Sequence, residues 1–323
     1  MPEFPILDLA EFTAADTTAR ARIGAEIDRV CCDTGFLAVQ NHGVSQAVID
    51  GVWEATHAFF DLDADEKQRL APPRAGYPYG FLGPGSEALA KSRGQDTPPD
   101  LKESFNGGPS QVPAGMCDPD ALSFCFEATP WPQNPTGFQT AWQAYYVQME
   151  ILAGRIMQTF AVALKLDQDF FEPFIDAPIS ALRALNYPAQ DRPPEQGQLR
   201  AGAHSDYGSL TILLPQAGSR GLEIQTAAGD WRAVPPRPET FVINIGDLMQ
   251  RWTNDRWRST LHRVVTPPEL ATRRRQSLAF FHQPNWDSEI AVLPSCVDTQ
   301  HPARHAGVLS GPYLMEKFNA ATS

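Results

Sequence analysis

No run of 18 or more apolar residues occurs in the chain, so no segment reads as a membrane-spanning helix. The opening residues, MPEFPILDLAEF, lack both the positive segment and the continuous apolar stretch of a secretion signal, which makes a cytoplasmic location the expectation. Cysteine is scarce. Cys31, Cys32, Cys117, Cys125 and Cys296 are the five present, and none stands in a CxxC pair. An odd, scattered set suggests neither a zinc ribbon nor a disulfide framework and leaves free thiols. Any metal site must therefore be built from nitrogen and oxygen ligands. Positive charge is also in short supply, 26 Lys and Arg against 38 Asp and Glu, for a net charge of -12. Such a surface repels phosphate backbones and anionic headgroups, so a small molecule is the expected partner, with no nucleic acid and no membrane. Repeats at solenoid or propeller periods are missing as well. The pattern says nothing about oligomeric state.

Hydrophobic residues are plentiful by contrast, at 42% of 323. That suffices for one large core or two small ones. Phe4 to Leu9 reads as a short strand, Ile23, Ile27 and Val30 mark a helix face, and Gly35 to Val39 reads as a second strand. Val48, Val52 and Phe59 mark a further helix, followed by a short charged one at DADEKQRL. Prolines and glycines crowd residues 71–136, a density that long helices and strands do not survive. Yet Tyr77, Tyr79, Phe81 and Phe105 lie within it, which favours an ordered cover over something apolar. A helix from about Gly137 to Leu166 follows, with Phe138, Trp142, Tyr145, Met149, Leu152, Ile156 and Phe160 as one stripe, read as core.

From Ile179 onward the signal changes to short strands at roughly ten-residue spacing. Candidates are Leu182–Tyr187, Leu210–Leu214, Leu222–Gln225, Trp231–Val234, Thr240–Ile245, Leu261–Val265 and Ser277–Phe281. Turn chemistry between them points to an antiparallel sandwich or barrel. The fold class expected is α+β, mainly β, a helical front half wrapped on a β core. Residues 1–136 form a region packed on the core and covering the site, and residues 137–323 form the long helix plus the catalytic core.

Within the β half stands GAHSDYGSLTILL. His204 and Asp206 are two apart, so on a strand they share one side. His262 opens another strand, TLHRVV. Two imidazoles and one carboxylate are the facial triad of non-haem iron(II) oxygenases, leaving three positions open at the metal. His-x-Asp alone is common by chance. Its company is more telling: Arg275 and Ser277, also two apart, offer a carboxylate both a charged fork and a hydroxyl. Arg273 and Arg274 read as surface cations.

The chain resembles the isopenicillin N synthase-like branch of the iron(II)/2-oxoglutarate-dependent dioxygenases over nearly its whole length. The resemblance rests on Pro5-Ile6-Leu7-Asp8-Leu9, on Gly35-Phe36 through Asn41-His42-Gly43-Val44, and on Asn186-Tyr187-Pro188. It continues through His204-Ser205-Asp206, Asn244-Ile245-Gly246-Asp247, Leu261-His262-Arg263 and Arg275-Gln276-Ser277. It implies a distorted double-stranded β-helix (jelly roll) flanked by helices, with Fe(II) at one mouth of the barrel held by His204, Asp206 and His262. It implies also that Arg275 and Ser277, assisted by Tyr187, bind the distal carboxylate of 2-oxoglutarate, and that O2 is consumed as the co-substrate is decarboxylated to succinate. His42 is read as structural. Two departures stand out: Leu185 where plant-type members often carry Asn, and a longer stretch from His262 to Arg275.

Three rival readings stay open at this point. Some members of the branch are desaturases or ring-forming oxidases that need no 2-oxoglutarate. Zinc accepts the same ligands, so a hydrolase is a reading from another class. A silent binding protein is the third. The substrate expected is a small, largely apolar or aromatic metabolite, hydroxylated in a pocket for which Tyr77, Phe81, Phe105, Trp252, Phe281 and His282 are the candidates. Either one of Tyr77, Phe81 or Phe105 faces the iron, or these aromatics pack the segment onto the helix that follows it.

Overall fold

Two sheets face one another, with helices stacked on the outer side of the larger, in a computed structural model that describes residues 4–90, 97–190 and 195–322. Residues 91–96 of the proline-rich segment lie outside the described residues. The two apolar runs near the N-terminus become strands β1 (Ile6–Asp8) and β2 (Phe36–Gln40), paired in parallel. The Asp8 and Asp16 carboxylates accept backbone N–H bonds that start helices α1 (Leu9–Ala14) and α2 (Thr17–Asp33). Helices α3 (Gln46–Phe60) and α4 (Ala64–Gln68) follow.

The proline-rich segment holds more order than its composition predicts. It contains strands β3 (Gly80–Leu82) and β4 (Glu103–Gly107) and a one-turn helix α5 (Pro119–Phe124). All three are short, so breakers limit element length here without forbidding elements. The apolar stripe read after Gly137 is helix α6 (Phe138–Ala163), packed on α2 and α3.

The β half supplies β5 (Ala181–Tyr187), β6 (Ala201–His204), β7 (Leu210–Pro215), β8 (Leu222–Gln225) and β9 (Trp231–Ala233). Then come β10 (Phe241–Ile245), helix α7 (Asp247–Trp252), β11 (His262–Val264) and β12 (Arg275–His282). A small hairpin, β13 (Glu289–Ile290) with β14 (Val308–Leu309), and a C-terminal helix α8 (Ser310–Thr322) complete the chain. The larger sheet runs β1-β2-β10-β7-β12-β5-β4-β3, and the smaller β6-β11-β8-β9. Strands β1 to β4, from residues before 137, are thus hydrogen-bonded into the main sheet. No helix among the described residues is long and apolar enough to cross a membrane.

Strand parity sorts the side chains. Successive residues of a strand point to opposite faces, and the outer face of the large sheet carries Leu278, Phe280, Leu182, Ala184, Ile243 and Ile212 into the core shared with α6. The inner face looks across to the small sheet: Ala279, Leu185, Tyr187, Val242 and Phe36 pack with Ala201, Leu222, Ile224 and Val264. The cavity opens between these two sheets.

Parity also corrects part of the expected pocket. Phe105 follows Ser104 and precedes Asn106, so it points away from the inner face. It is fully buried against Phe59, Phe138 and Trp142, with ring centroids 5.1, 5.2 and 5.3 Å away. Phe81 pairs with Phe105 across β3 and β4 and joins the same cluster. Neither faces the metal site; both clamp the segment onto the helices. Trp252, at the end of α7, packs on Phe171 and Phe174 instead. His282 ends β12 on the outer face, its Nδ1 2.7 Å from the Ser209 hydroxyl.

Candidate metal centre and cavity

Three potential ligands converge although they come from different strands. His262 lies directly opposite His204 in the antiparallel β6–β11 pair, so their side chains leave the same face, with ring centroids 4.3 Å apart. Strand β6 ends at His204, and Asp206 sits in the turn beyond it. A shared strand face therefore does not explain why His204 and Asp206 meet. Asp206 is brought in by tertiary contacts, its Oδ1 lying 3.8 Å from His204 Nε2 and 3.7 Å from His262 Nε2. The candidate ligand atoms of the three residues all fall within 4.8 Å of one another, the one such group of three among the described residues.

The surrounding hydrogen bonds aim these atoms at a common point. His204 Nδ1 lies 2.7 Å from the Gly202 carbonyl, and His262 Nδ1 3.2 Å from that of Thr260. A carbonyl can only accept, so each Nδ1 carries a proton and Nε2 is the ring nitrogen turned toward the Asp206 carboxylate. The Asp206 carboxylate accepts from Thr211 Oγ1 at 2.6 Å and Asn244 Nδ2 at 2.7 Å, both through Oδ2, which leaves Oδ1 for a cation. Burial would raise the Asp206 carboxyl, but the imidazoles of His262 and His204, with the Thr211 and Asn244 donors, hold it below the usual range. Burial and the neighbouring His262 push His204 down to about 3, so its ring is neutral at physiological pH. Neutral imidazoles and an ionised carboxylate are the states a divalent metal requires. The donor set fits iron(II).

The turn beyond Asp206 is held by close backbone packing. The Asp247 amide donates to the Asp206 carbonyl at 2.7 Å. A side chain at Gly246 would strike the Gly208 carbonyl oxygen at 2.2 Å, so the start of α7 can approach only as glycine. Asn244 and Thr211 were not singled out as functional from the sequence, although Asn244 belongs to the Asn-Ile-Gly-Asp segment that carries the resemblance. Asn244→Ala is expected to lower iron(II) affinity roughly 10–100-fold, as removal of such a supporting donor does elsewhere. An iron(II) titration followed by calorimetry checks this, and unchanged affinity would leave Thr211 alone as the orienting group.

A cavity of about 530 Å³ extends from these ligands between the sheets. Arg275, Ser277, Ala279 and Phe281 of β12 and Arg183, Leu185 and Tyr187 of β5 line it by parity. Arg275 and Tyr187 are partners across β12 and β5, the guanidinium lying 4.7 Å from the ring centroid. The Arg275 side chain reaches Ser277 Oγ at 3.5 Å, its Nε is buried without a partner, and no carboxylate pairs with it among the described residues. Arg200, unremarked in the sequence, is buried nearby and donates to the carbonyls of Arg273 and Leu270 at 2.9 and 3.4 Å. Burial and the Arg275 charge both lower its pKa. Arg275, buried in the lining with Arg200 behind it and no acid paired with it among the described residues, makes this end of the cavity a receptor for an anion.

Tyr77 and Phe281 line the cavity; Phe81, Phe105, Trp252 and His282 do not. His42 is placed structurally, its Nδ1 accepting from the Val44 amide and its ring against Phe241. Arg274, read as a surface cation, is half-buried and donates to Asn186 Oδ1 at 2.6 Å behind the sheet. Leu314 and Phe318 of α8 reach the cavity too. No motif had marked that helix.

Comparison with known proteins agrees with this geometry. A family model described as the 2OG-Fe(II) oxygenase superfamily matches residues 178–284, and one described as the non-haem dioxygenase in morphine synthesis N-terminal matches residues 4–134. Validamycin A dioxygenase of Streptomyces hygroscopicus subsp. limoneus is 32% identical over 296 residues, covering 91% of this chain and 80% of that protein. A homoarginine-6-hydroxylase of Oryza sativa subsp. japonica is 30% identical, covering 90% and 87%. Among solved structures, a full-length Neurospora crassa protein in complex with alpha-KG superimposes with a TM-score of 0.86 at 28% identity, over 98% of this chain and 96% of that one. These relatives favour neither an oxidase independent of 2-oxoglutarate nor a zinc hydrolase.

Proposed function

The chain belongs to the 2OG-Fe(II) oxygenase superfamily and is an iron(II)- and 2-oxoglutarate-dependent oxygenase with a jelly-roll core; from that premise we propose how its own residues divide the work and what kind of substrate they admit. His204, Asp206 and His262 hold the iron. Arg275 and Ser277, with the Tyr187 ring beneath the guanidinium, take the far carboxylate of 2-oxoglutarate. The iron supplies the site at which O2 is activated as 2-oxoglutarate is oxidised to succinate and carbon dioxide.

The protein's contribution is placement and exclusion of water. Thr211 and Asn244 fix the Asp206 carboxylate, the two backbone carbonyls fix the imidazole rings, and the facing apolar residues of both sheets keep the cavity dry. Residues 1–136 supply part of the cavity wall, including Tyr77. The substrate is a small molecule with a largely apolar or aromatic body, hydroxylated at a carbon held beside the metal. The relatives are named for validamycin A and homoarginine, and the Neurospora crassa protein has also been solved with thymine, all small molecules of differing polarity. This breadth supports the size of the substrate and leaves its polarity to this chain's own lining.

The observation that carries the reading is the pairing, in one cavity, of a three-ligand cluster with a buried arginine that has no acid partner among the described residues. Oxygen consumption with iron(II) and 2-oxoglutarate across a panel of small metabolites, with products read by mass spectrometry, tests it. Succinate should appear in step with a product heavier by one oxygen atom. Absence of succinate with a turning-over substrate would sink the reading.

A further inference from the structure

We propose that Asn106 and Arg183 form a specificity wall that selects an uncharged carbonyl or amide group on the substrate. This rests on the cavity being the substrate site. The two residues are partners across β4 and β5 and both line the cavity. Neighbours of this kind hold their Cβ atoms about 5 Å apart, close enough to grip one functional group together. Arg183 precedes Tyr187 by four residues, roughly 13 Å along the strand, so the wall is separate from the co-substrate's carboxylate anchor.

Arg183 is held in place. Its Nη2 donates to the Glu87 carboxylate and, at 2.9 Å, to Ser104 Oγ, while its Nη1, unlike the fully enclosed Nε, is not shut away from the cavity and makes no hydrogen bond among the described residues. Asn106 is half-buried at the cavity surface, and its amide has no hydrogen-bond partner among the described residues. One rigid donor with unused capacity therefore stands beside an amide that can both donate and accept. Much of the remaining lining is apolar, as at Leu82, Ile179, Phe281 and Leu314. In such surroundings an unmet polar group on either side is costly, so the wall discriminates by what it leaves unpaired.

Charge decides which polar group fits. Lys102 Nζ lies 3.2 Å from Glu87 Oε2 and 2.7 Å from Asp100 Oδ2, so Arg183 and Lys102 are balanced by Glu87 and Asp100. Burial would raise the Glu87 carboxyl, but Arg183 and Lys102 draw it down to about 2, and it remains an anion. The cluster offers hydrogen bonds without spare positive charge. A substrate carboxylate would meet Glu87, whereas a neutral carbonyl accepts from both Arg183 and Asn106. Arg275, which has no acid beside it among the described residues, shows the opposite design in the same cavity.

The test uses the enzyme loaded with iron(II) and 2-oxoglutarate in the absence of oxygen, with benzamide and benzoate as matched probes. Binding is read from the change each produces in the visible absorption of the iron–2-oxoglutarate complex, with calorimetry alongside. Wild type should bind benzamide at least about ten-fold more tightly than benzoate, the worth of roughly one hydrogen bond to a charged group. Asn106→Ala should weaken benzamide about ten-fold. Arg183→Lys, which keeps a cation against Glu87 but loses the planar fork, should do the same. Both variants should retain wild-type affinity for 2-oxoglutarate, and Asn106→Ala should keep an unchanged Tm. Equal or tighter binding of benzoate, failure of both probes to bind, or variants that bind benzamide like wild type would each overturn the proposal. Failure of 2-oxoglutarate itself to form the coloured complex would instead overturn the co-substrate reading beneath it.

Discussion

A His262→Ala protein is expected to emerge from gel filtration without iron and without turnover. Loss of a supporting donor costs such sites 10–100-fold, so loss of a direct ligand should exceed about 100-fold in affinity. Two remaining ligands do not retain a labile divalent ion against dilution. The fold should survive the change. His262 makes one described side-chain hydrogen bond, to a backbone carbonyl, and β11 keeps its backbone pairing to both β6 and β8. The predicted loss is therefore one of metal rather than of structure. Elemental analysis of the purified variant, with circular dichroism to establish the fold, measures both. Full activity in this variant would remove His262 from the site, and an unfolded product would move the test to His262→Gln.

How much of this could be read beforehand depended on distance along the chain. Seven strands of the β half came through within one or two residues, because their apolar runs are bounded by turns, whereas the two-residue β13 and β14 are too short to show a pattern. The ligand-bearing β6 was missed: Ala201-Gly202-Ala203-His204 has too little side chain to show a period. Arg275 and Ser277 were legible as a pair because both stand on one strand, where parity is a local property. The pocket residues were not. Phe81 and Phe105 carried the right chemistry for a substrate wall, but their facing depended on β4 joining the sheet beside β5, a contact across some 80 residues of sequence. One step along β4 separates Phe105, in the helical core, from Asn106, in the cavity. Arg183 and Glu87 meet over a similar span, and no motif spacing records such a meeting. Thr211 and Asn244 converge on Asp206 from adjacent strands, β7 and β10, for the same reason.

Arg275→Leu should leave the iron in place and weaken 2-oxoglutarate binding by roughly 2–5 kcal/mol, a loss of about 30-fold to several thousand-fold. The range follows from burial. Arg275 is 4% exposed, so the carboxylate it receives is desolvated too, and losing the guanidinium would leave that anion buried and unpaired. Two features of the cavity set where in the range the effect falls. Ser277 remains as a neutral donor on the same face, which moderates the loss. Arg200 lies close enough for its own pKa to be lowered by the Arg275 charge, but its Nη2 is committed to the carbonyls of Leu270 and Arg273, so a full rescue would require those bonds to break. The upper half of the range is therefore the expectation, and Arg275→Lys should recover part of it by restoring charge without the bidentate fork. Leucine removes the stacking on Tyr187 as well, so thermal stability is to be measured beside affinity. Titration of the iron-loaded variant with 2-oxoglutarate gives the answer directly. Unchanged affinity together with retained succinate production would assign the anchor to Arg200, and the Arg200→Leu protein would then have to show the loss predicted here for Arg275.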